Sequence, residues 1–228
     1  MRRLWIGFAP YAAVSVLHIT ALALGAEWLA GPTKLLLMPV LAGAVLWGGR
    51  GSQWGRAYTL LFLALAFSWL GDGAGTFFAA ATTVPMMLLL FGLAHLCYIW
   101  LFWRVIPIQK IPTWAVVYGL WWFGLIALLG PNLGDLFFPV AIYGLLLAGT
   151  AVAASRCHAF VATGGAFFFA SDAILAFRLF MPDAMPDWTS PLVMLTYCLG
   201  QGLIAAGVIL SERARRDTGA REPEGKVA

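Results

Sequence analysis

Charge is scarce in this chain: only 11% of its 228 residues are charged. A soluble domain carries roughly 25%. A water-soluble protein of this length cannot hide a chain that is 62% hydrophobic, so lipid is the solvent the sequence is built for. Cysteine is scarce as well. Cys97, Cys157 and Cys198 fall in separate apolar or loop contexts without paired spacing, which argues against a disulfide framework or a zinc site. The signatures of soluble enzymes are lacking, with no GxSxG elbow, Walker loop, HExxH or CxxC. The three histidines, His18, His95 and His158, do not make a metal set, since His158 falls in a predicted loop. No metal or other cofactor is expected. A nucleic-acid partner is excluded too, because the bases behind the +4 charge sit singly between apolar runs or gather from Arg213 to Lys226.

Long hydrophobic runs are plentiful. A helix crossing a ~30 Å hydrocarbon core needs roughly 20 apolar residues. The runs predict spans at roughly 4–26, 33–49, 57–79, 84–103, 113–130, 136–154, 159–181 and 190–211. Turn chemistry separates them at Gly31-Pro32, Gly48 to Gly51, Pro107 to Pro112, Gly130-Pro131-Asn132 and Pro182 to Pro186. The expected fold is an all-α, polytopic transmembrane bundle of about eight helices. Residues 1–212 form a single domain and 213–228 a polar cytoplasmic tail. The run from Leu4 to Ala26 reads as a retained first helix and not a cleaved leader, because it is long enough to span.

Positive charge sets the orientation. Arg2, Arg3, Arg50, Arg56, Arg104, Lys110, Arg156 and the bases from Arg213 onward fall on one side, with Lys34 and Arg178 on the other. That bias predicts both termini in the cytoplasm, in a bacterial cell membrane. Helices three and seven also echo each other, Phe67-Ser-Trp-Leu-Gly-Asp72 against Phe167-Phe-Phe-Ala-Ser-Asp172, as a parallel repeat would.

Asp72 and Asp172 are the residues lipid should have excluded. A carboxylate at the centre of a span costs about 3 kcal/mol on insertion scales. Counted from Arg56 and His158, both lie roughly 20–24 Å along their helices, in the outer half of the membrane. Matched depth makes convergence possible, and function is the favoured reading. The bland alternative is a structural ion pair with Lys34 or Arg178. Other polar groups can join at that level. His95 and Tyr98 share a face of helix four, Tyr197 and Gln201 share one of helix eight, and Asn132 and Asp135 sit near the outer end of helix six. Gly71 and Gly75 read as a close helix crossing, and His18, without polar company, as structural. A metal site of His95 with the two aspartates is a weaker alternative.

These residues carry a family resemblance. Thr33-Lys34-Leu-Leu-Leu-Met-Pro39, Phe67-Ser68-Trp-Leu-Gly71-Asp72, Ala94-His95-Leu-Cys-Tyr98, Gly165 to Ala176 around Ser171-Asp172, and Tyr197-Cys-Leu-Gly-Gln201-Gly-Leu-Ile occur in the family's order. The chain resembles the lysoplasmalogenase (YhhN-like) family of membrane proteins over helices two to eight. It departs where the family commonly has Lys-Pro in place of Lys34-Leu35, and larger apolar residues in place of Gly73-Ala74-Gly75. The second departure is expected to widen the cleft near Asp72.

The resemblance implies hydrolysis of the vinyl ether bond of lysoplasmalogens to a fatty aldehyde and a glycerophospho-base. It implies Asp72 and Asp172 as general acid and water-activating or cation-stabilising groups, in either order. His95, Tyr98, Tyr197 and Gln201 would orient them or the water. Lys34 and Arg178 would hold the phosphate of a lysophospholipid arriving from the bilayer. A proton-coupled transporter and a non-catalytic lysolipid-binding protein are the rival readings of the same intramembrane acids.

Overall fold

In lipid a backbone group finds its hydrogen bond within its own helix, so apolar runs of this length have little choice of structure. The computed structural model describes residues 2–52, 54–106 and 109–219. Its eight long helices are α1 (Arg2–Ala23), α2 (Glu27–Gly48), α3 (Arg56–Asp72), α4 (Thr83–Trp100), α5 (Val116–Leu133), α6 (Phe137–Ala154), α7 (Ala159–Phe180) and α8 (Thr189–Gly219). No strand occurs among the described residues. Six stretches are long and apolar enough to cross a membrane, one of which, Thr113–Ala154, contains both α5 and α6. At 17 residues α3 is the short member. The protein is an all-α, multi-pass integral membrane protein.

Several expected boundaries move, for physical reasons. The turn before α2 is made by Gly25 at φ 66°, so the helix starts at Glu27 and runs through Pro32 and Pro39 without a break. Likewise α5 runs through Pro131, and the chain reverses at Gly134 with φ 50°. A left-handed glycine reverses a chain more effectively than a proline interrupts a helix whose neighbours hold it. The third span stops at Asp72 instead of running on to residue 79. A Cβ at Gly73 would lie 2.1 Å from the Phe77 ring, so the glycine lets Phe77 fold back over the helix end. The Phe77 ring thus occupies the place that a side chain at position 73 would take.

The last helix continues to Gly219, through residues expected to begin the tail. Arg213 donates to the Gly48 carbonyl at 2.5 Å, Arg215 to that of Val105 at 3.3 Å, and Arg216 to that of Gly51. These bonds tie the end of α8 to the ends of α2 and α4. The remainder of the expected tail, 220–228 with Arg221 and Lys226, lies outside the described residues. At the same near end Arg50 stacks over Trp47 at 4.0 Å and Arg156 over Trp103 at 4.1 Å. Arg50, Arg156, Arg213, Arg215 and Arg216 therefore gather at one end of the bundle.

The main core is shared by α1, α2, α3, α4, α7 and α8, with α6 joining through Ala153 and Ala154. Peripheral α5 keeps Leu120, Phe123 and Leu128 exposed to lipid. The closest crossing joins α7 to α8, where a Cβ on Gly164 would come within 2.8 Å of the Gly200 carbonyl and the Ile204 nitrogen. A Cβ on Gly200 would come equally close to the Phe168 nitrogen. The expected crossing at Gly71 and Gly75 is a different contact: Gly71 makes room for the Phe91 ring, and Gly75 touches only Thr83.

Backbone cannot yield as a side-chain end can, so Gly164→Ala should lower stability by about 1–3 kcal/mol. Gly43→Ala, with nothing within 4 Å, is the matched control. Thermal unfolding in detergent checks the pair. Equal melting temperatures would contradict the tight α7–α8 crossing.

Candidate active site

Asp72 is the last residue of α3, exposed by the helix end at Gly73 but not to solvent, with its side chain only 4% accessible. Tyr197 on α8 donates to its Oδ2 at 2.7 Å. Lys34 on α2 places its Nζ 3.8 Å from Oδ1. The Trp69 indole donates to the Leu35 carbonyl at 2.9 Å, fastening α3 to α2 beside that lysine. Of the two cations expected as partners for a buried aspartate, Lys34 is the one that pairs.

Asp172 sits mid-helix on α7, 8% accessible, and accepts a hydrogen bond from Tyr143 on α6. His95 on α4 brings Nε2 to 3.6 Å from the same carboxylate oxygen and 3.3 Å from the Tyr143 hydroxyl. Its Nδ1 lies 3.1 Å from Thr150 Oγ1. Thr150 gives its own proton to the Leu146 carbonyl at 2.9 Å, so it accepts from His95, and Nδ1 carries the hydrogen. In a neutral ring Nε2 is then a bare acceptor. Three acceptor atoms, Asp172 Oδ2, the Tyr143 oxygen and His95 Nε2, face one another with a single hydroxyl proton among them.

Further side chains extend the Asp72 group, and an aromatic ring separates it from the Asp172 group. Gln201 is completely buried; it accepts from Tyr98 at 2.5 Å and donates to Ser68 at 3.1 Å and to Tyr197 at 3.5 Å. Phe168 fills the middle, its ring 4.9 Å from that of His95 and 5.5 Å from that of Tyr197. Asp172 and Tyr143 also line two narrow apolar cavities of about 40 and 30 Å³, one towards Met87 and Phe91, the other towards Trp121 and Trp122. Among the described residues, no group of three His, Cys, Asp or Glu side chains is arranged to hold a metal ion.

Seven of the eight expected residues thus fall into two polar groups on either side of Phe168: Lys34, Asp72, Tyr98, Tyr197 and Gln201 in one, His95 and Asp172 in the other. Tyr98 acts through Gln201 and touches neither carboxylate. Arg178 stands apart, its Nη1 donating to Thr189 Oγ1 at 2.5 Å and to the Pro186 carbonyl at 3.2 Å. Asn132 and Asp135, expected near the carboxylates, are exposed at the α5–α6 connection instead, because the turn at Gly134 carries them away from the core.

The model of the YhhN family matches residues 29–208, a span that contains all of these network residues. The chain belongs to the YhhN family. None of the curated proteins and none of the solved structures matches it at a significant level. Two members of this YhhN protein's site had no distinctive signal in the sequence. Tyr143 looks like any interfacial tyrosine, and only its place about 9 Å inside α6, at 1.5 Å per residue, marks it out. Thr150 is one of the small hydroxyl residues that populate membrane helices generally.

Removing a buried partner leaves the other unsatisfied. Gln201→Leu in this YhhN protein should cost about 1–3 kcal/mol, and adding Tyr98→Phe should recover part of it. Unfolding in detergent would measure both. A double variant no more stable than the single one would contradict the Tyr98–Gln201 bond.

Proposed function

We propose that the protein is a membrane-embedded hydrolase that cleaves the vinyl ether bond of lysoplasmalogens. The observation that carries the reading is the pair of buried carboxylates, each held by a tyrosine hydroxyl, one beside a lysine and the other beside a histidine. Vinyl ether hydrolysis begins with a proton added to the alkenyl carbon remote from oxygen, which leaves an oxocarbenium ion. Water adds to the carbon bonded to oxygen and loses a proton. The resulting hemiacetal then splits into aldehyde and alcohol, so one water is consumed and the donated proton is regained. The site requirements are a proton donor on one side and an anion on the other.

Asp172 suits the donor, since the Tyr143 hydroxyl and His95 Nε2 both face its Oδ2. His95 would reload it. Asp72 suits the anion that stabilises the cation and takes the proton of the water, with Lys34 and Tyr197 holding it in place. The alkenyl chain would lie in the narrow apolar cavity bounded by Met87 and Phe91, and Lys34 and Arg178 would receive the phosphate. The positive charge at the near end supports the orientation with both termini in the cytoplasm of a bacterial cell.

The helix break beside Asp72 favours a second reading, proton-coupled transport, in which the same carboxylates carry a proton across. Turnover in detergent, where no gradient exists, separates the two.

Under the hydrolase reading, Asp72→Asn and Asp172→Asn each lower aldehyde release from lysoplasmenylethanolamine about 10²-fold or more. Tyr143→Phe should lower it less, and a saturated ether lysolipid should yield no aldehyde. Folded asparagine variants with undiminished release would overturn the assignment.

A further inference from the structure

A cavity of about 240 Å³ opens at the far end of the bundle between α1, α2, α7 and α8. It is lined by groups of both signs, Lys34 and Arg178 on one hand and Glu27 on the other. Arg178 is held by Nη1 alone, which leaves the edge formed by Nε and Nη2 for a ligand. Lys34 belongs to this cavity and to Asp72 at once, so a molecule seated here is registered against the carboxylates. Leu175 also lines both this cavity and the narrow one beside Asp172.

The wall contains an unanswered acceptor. His18, 1% exposed, places Nδ1 3.0 Å from Thr33 Oγ1. The Thr33 hydroxyl donates to the Leu29 carbonyl at 2.6 Å, so His18 Nδ1 carries the hydrogen. Its Nε2 then presents a lone pair, and it has no protein partner. His18 therefore has polar company, contrary to its reading from sequence.

Glu27 and Lys34 are seven residues apart on α2, on the same face and about 10.5 Å apart along the axis. A phosphate joined through two carbons to an ammonium, with one contact at each end, fills that interval. We infer that this cavity is the head-group subsite, and that Glu27 selects lysolipids whose phosphate carries a cationic amine. Lys34 and Arg178 take the phosphate, and Glu27 takes the ammonium. The inference rests on the hydrolase reading for the purpose of the site but not for its ligand. Glu27 and His18 both precede the span matched by the family model, so the family resemblance does not carry their roles.

The test measures binding apart from turnover. Saturated ether lysolipids with phosphoethanolamine or phosphoglycerol heads are titrated into the full-length protein in detergent, and their vinyl ether counterparts are assayed for aldehyde. Wild type should bind the ethanolamine head roughly tenfold more tightly, the size of one charge-assisted contact. Glu27→Gln should bring the two heads to near-equal affinity, and Glu27→Asp should keep part of the preference. Head-group preference that Glu27→Gln abolishes, without aldehyde from any lipid, would sustain the subsite and sink the hydrolase. Equal affinities in wild type, or a preference unchanged in Glu27→Gln, would overturn the subsite whatever the turnover. Soluble glycerophosphoethanolamine binding as tightly as the lysolipid would overturn the lipid assignment.

Discussion

A carboxylate among apolar helices must be met by donors, and here there are two carboxylates. Each costs several kcal/mol to desolvate unless hydrogen bonds and charge compensate. The donors come from helices far apart in sequence: Lys34 from α2, Tyr197 from α8, Tyr143 from α6 and His95 from α4. Meeting that demand draws four helices around α3 and α7. The tight glycine crossing of α7 on α8 carries Asp172 and Tyr197 on one packed pair, and Phe168 wedges between the rings that serve each carboxylate. Buried polar networks of this kind are stable only when nearly every member is satisfied. Gln201 fulfils that condition by serving Tyr98, Ser68 and Tyr197 together.

The two aspartates, although alike in motif, are not equivalent in place. Asp72 stands at a helix end made by Gly73 and covered by Phe77, next to a half-exposed lysine. Asp172 lies within an unbroken helix, among a tyrosine, a histidine and apolar cavity walls. One environment offers a lysine ammonium, the other a tyrosine hydroxyl and an imidazole. The proposed hydrolysis assigns the acid to the second environment and the anion to the first.

Much of this was legible in the sequence. The number of helices followed from run length and punctuation, because lipid leaves the backbone no alternative. Asp72, Asp172, His95, Gln201 and Lys34 stood out as polar groups in an apolar medium. The boundaries were harder. Pro32 and Pro131 look like breaks, yet neighbouring helices hold their segments straight, and the reversals fall at Gly25 and Gly134. The end of α3 depends on a ring folding back across Gly73, a tertiary contact that no local pattern encodes. Tyr143 and the partnership of His18 with Thr33 were invisible for the same reason: each gains meaning only from what a distant helix sets beside it.

Proton transfer to the alkenyl carbon is the step on which the proposed hydrolysis depends. Purified protein in D₂O with lysoplasmenylethanolamine, and a hydride reagent present to trap the aldehyde as alcohol, measures that transfer. A single deuterium on the carbon next to the former aldehyde carbon is the predicted result, with no trapped product from the saturated ether control. No aldehyde from the vinyl ether, while both lipids still bind, would contradict it.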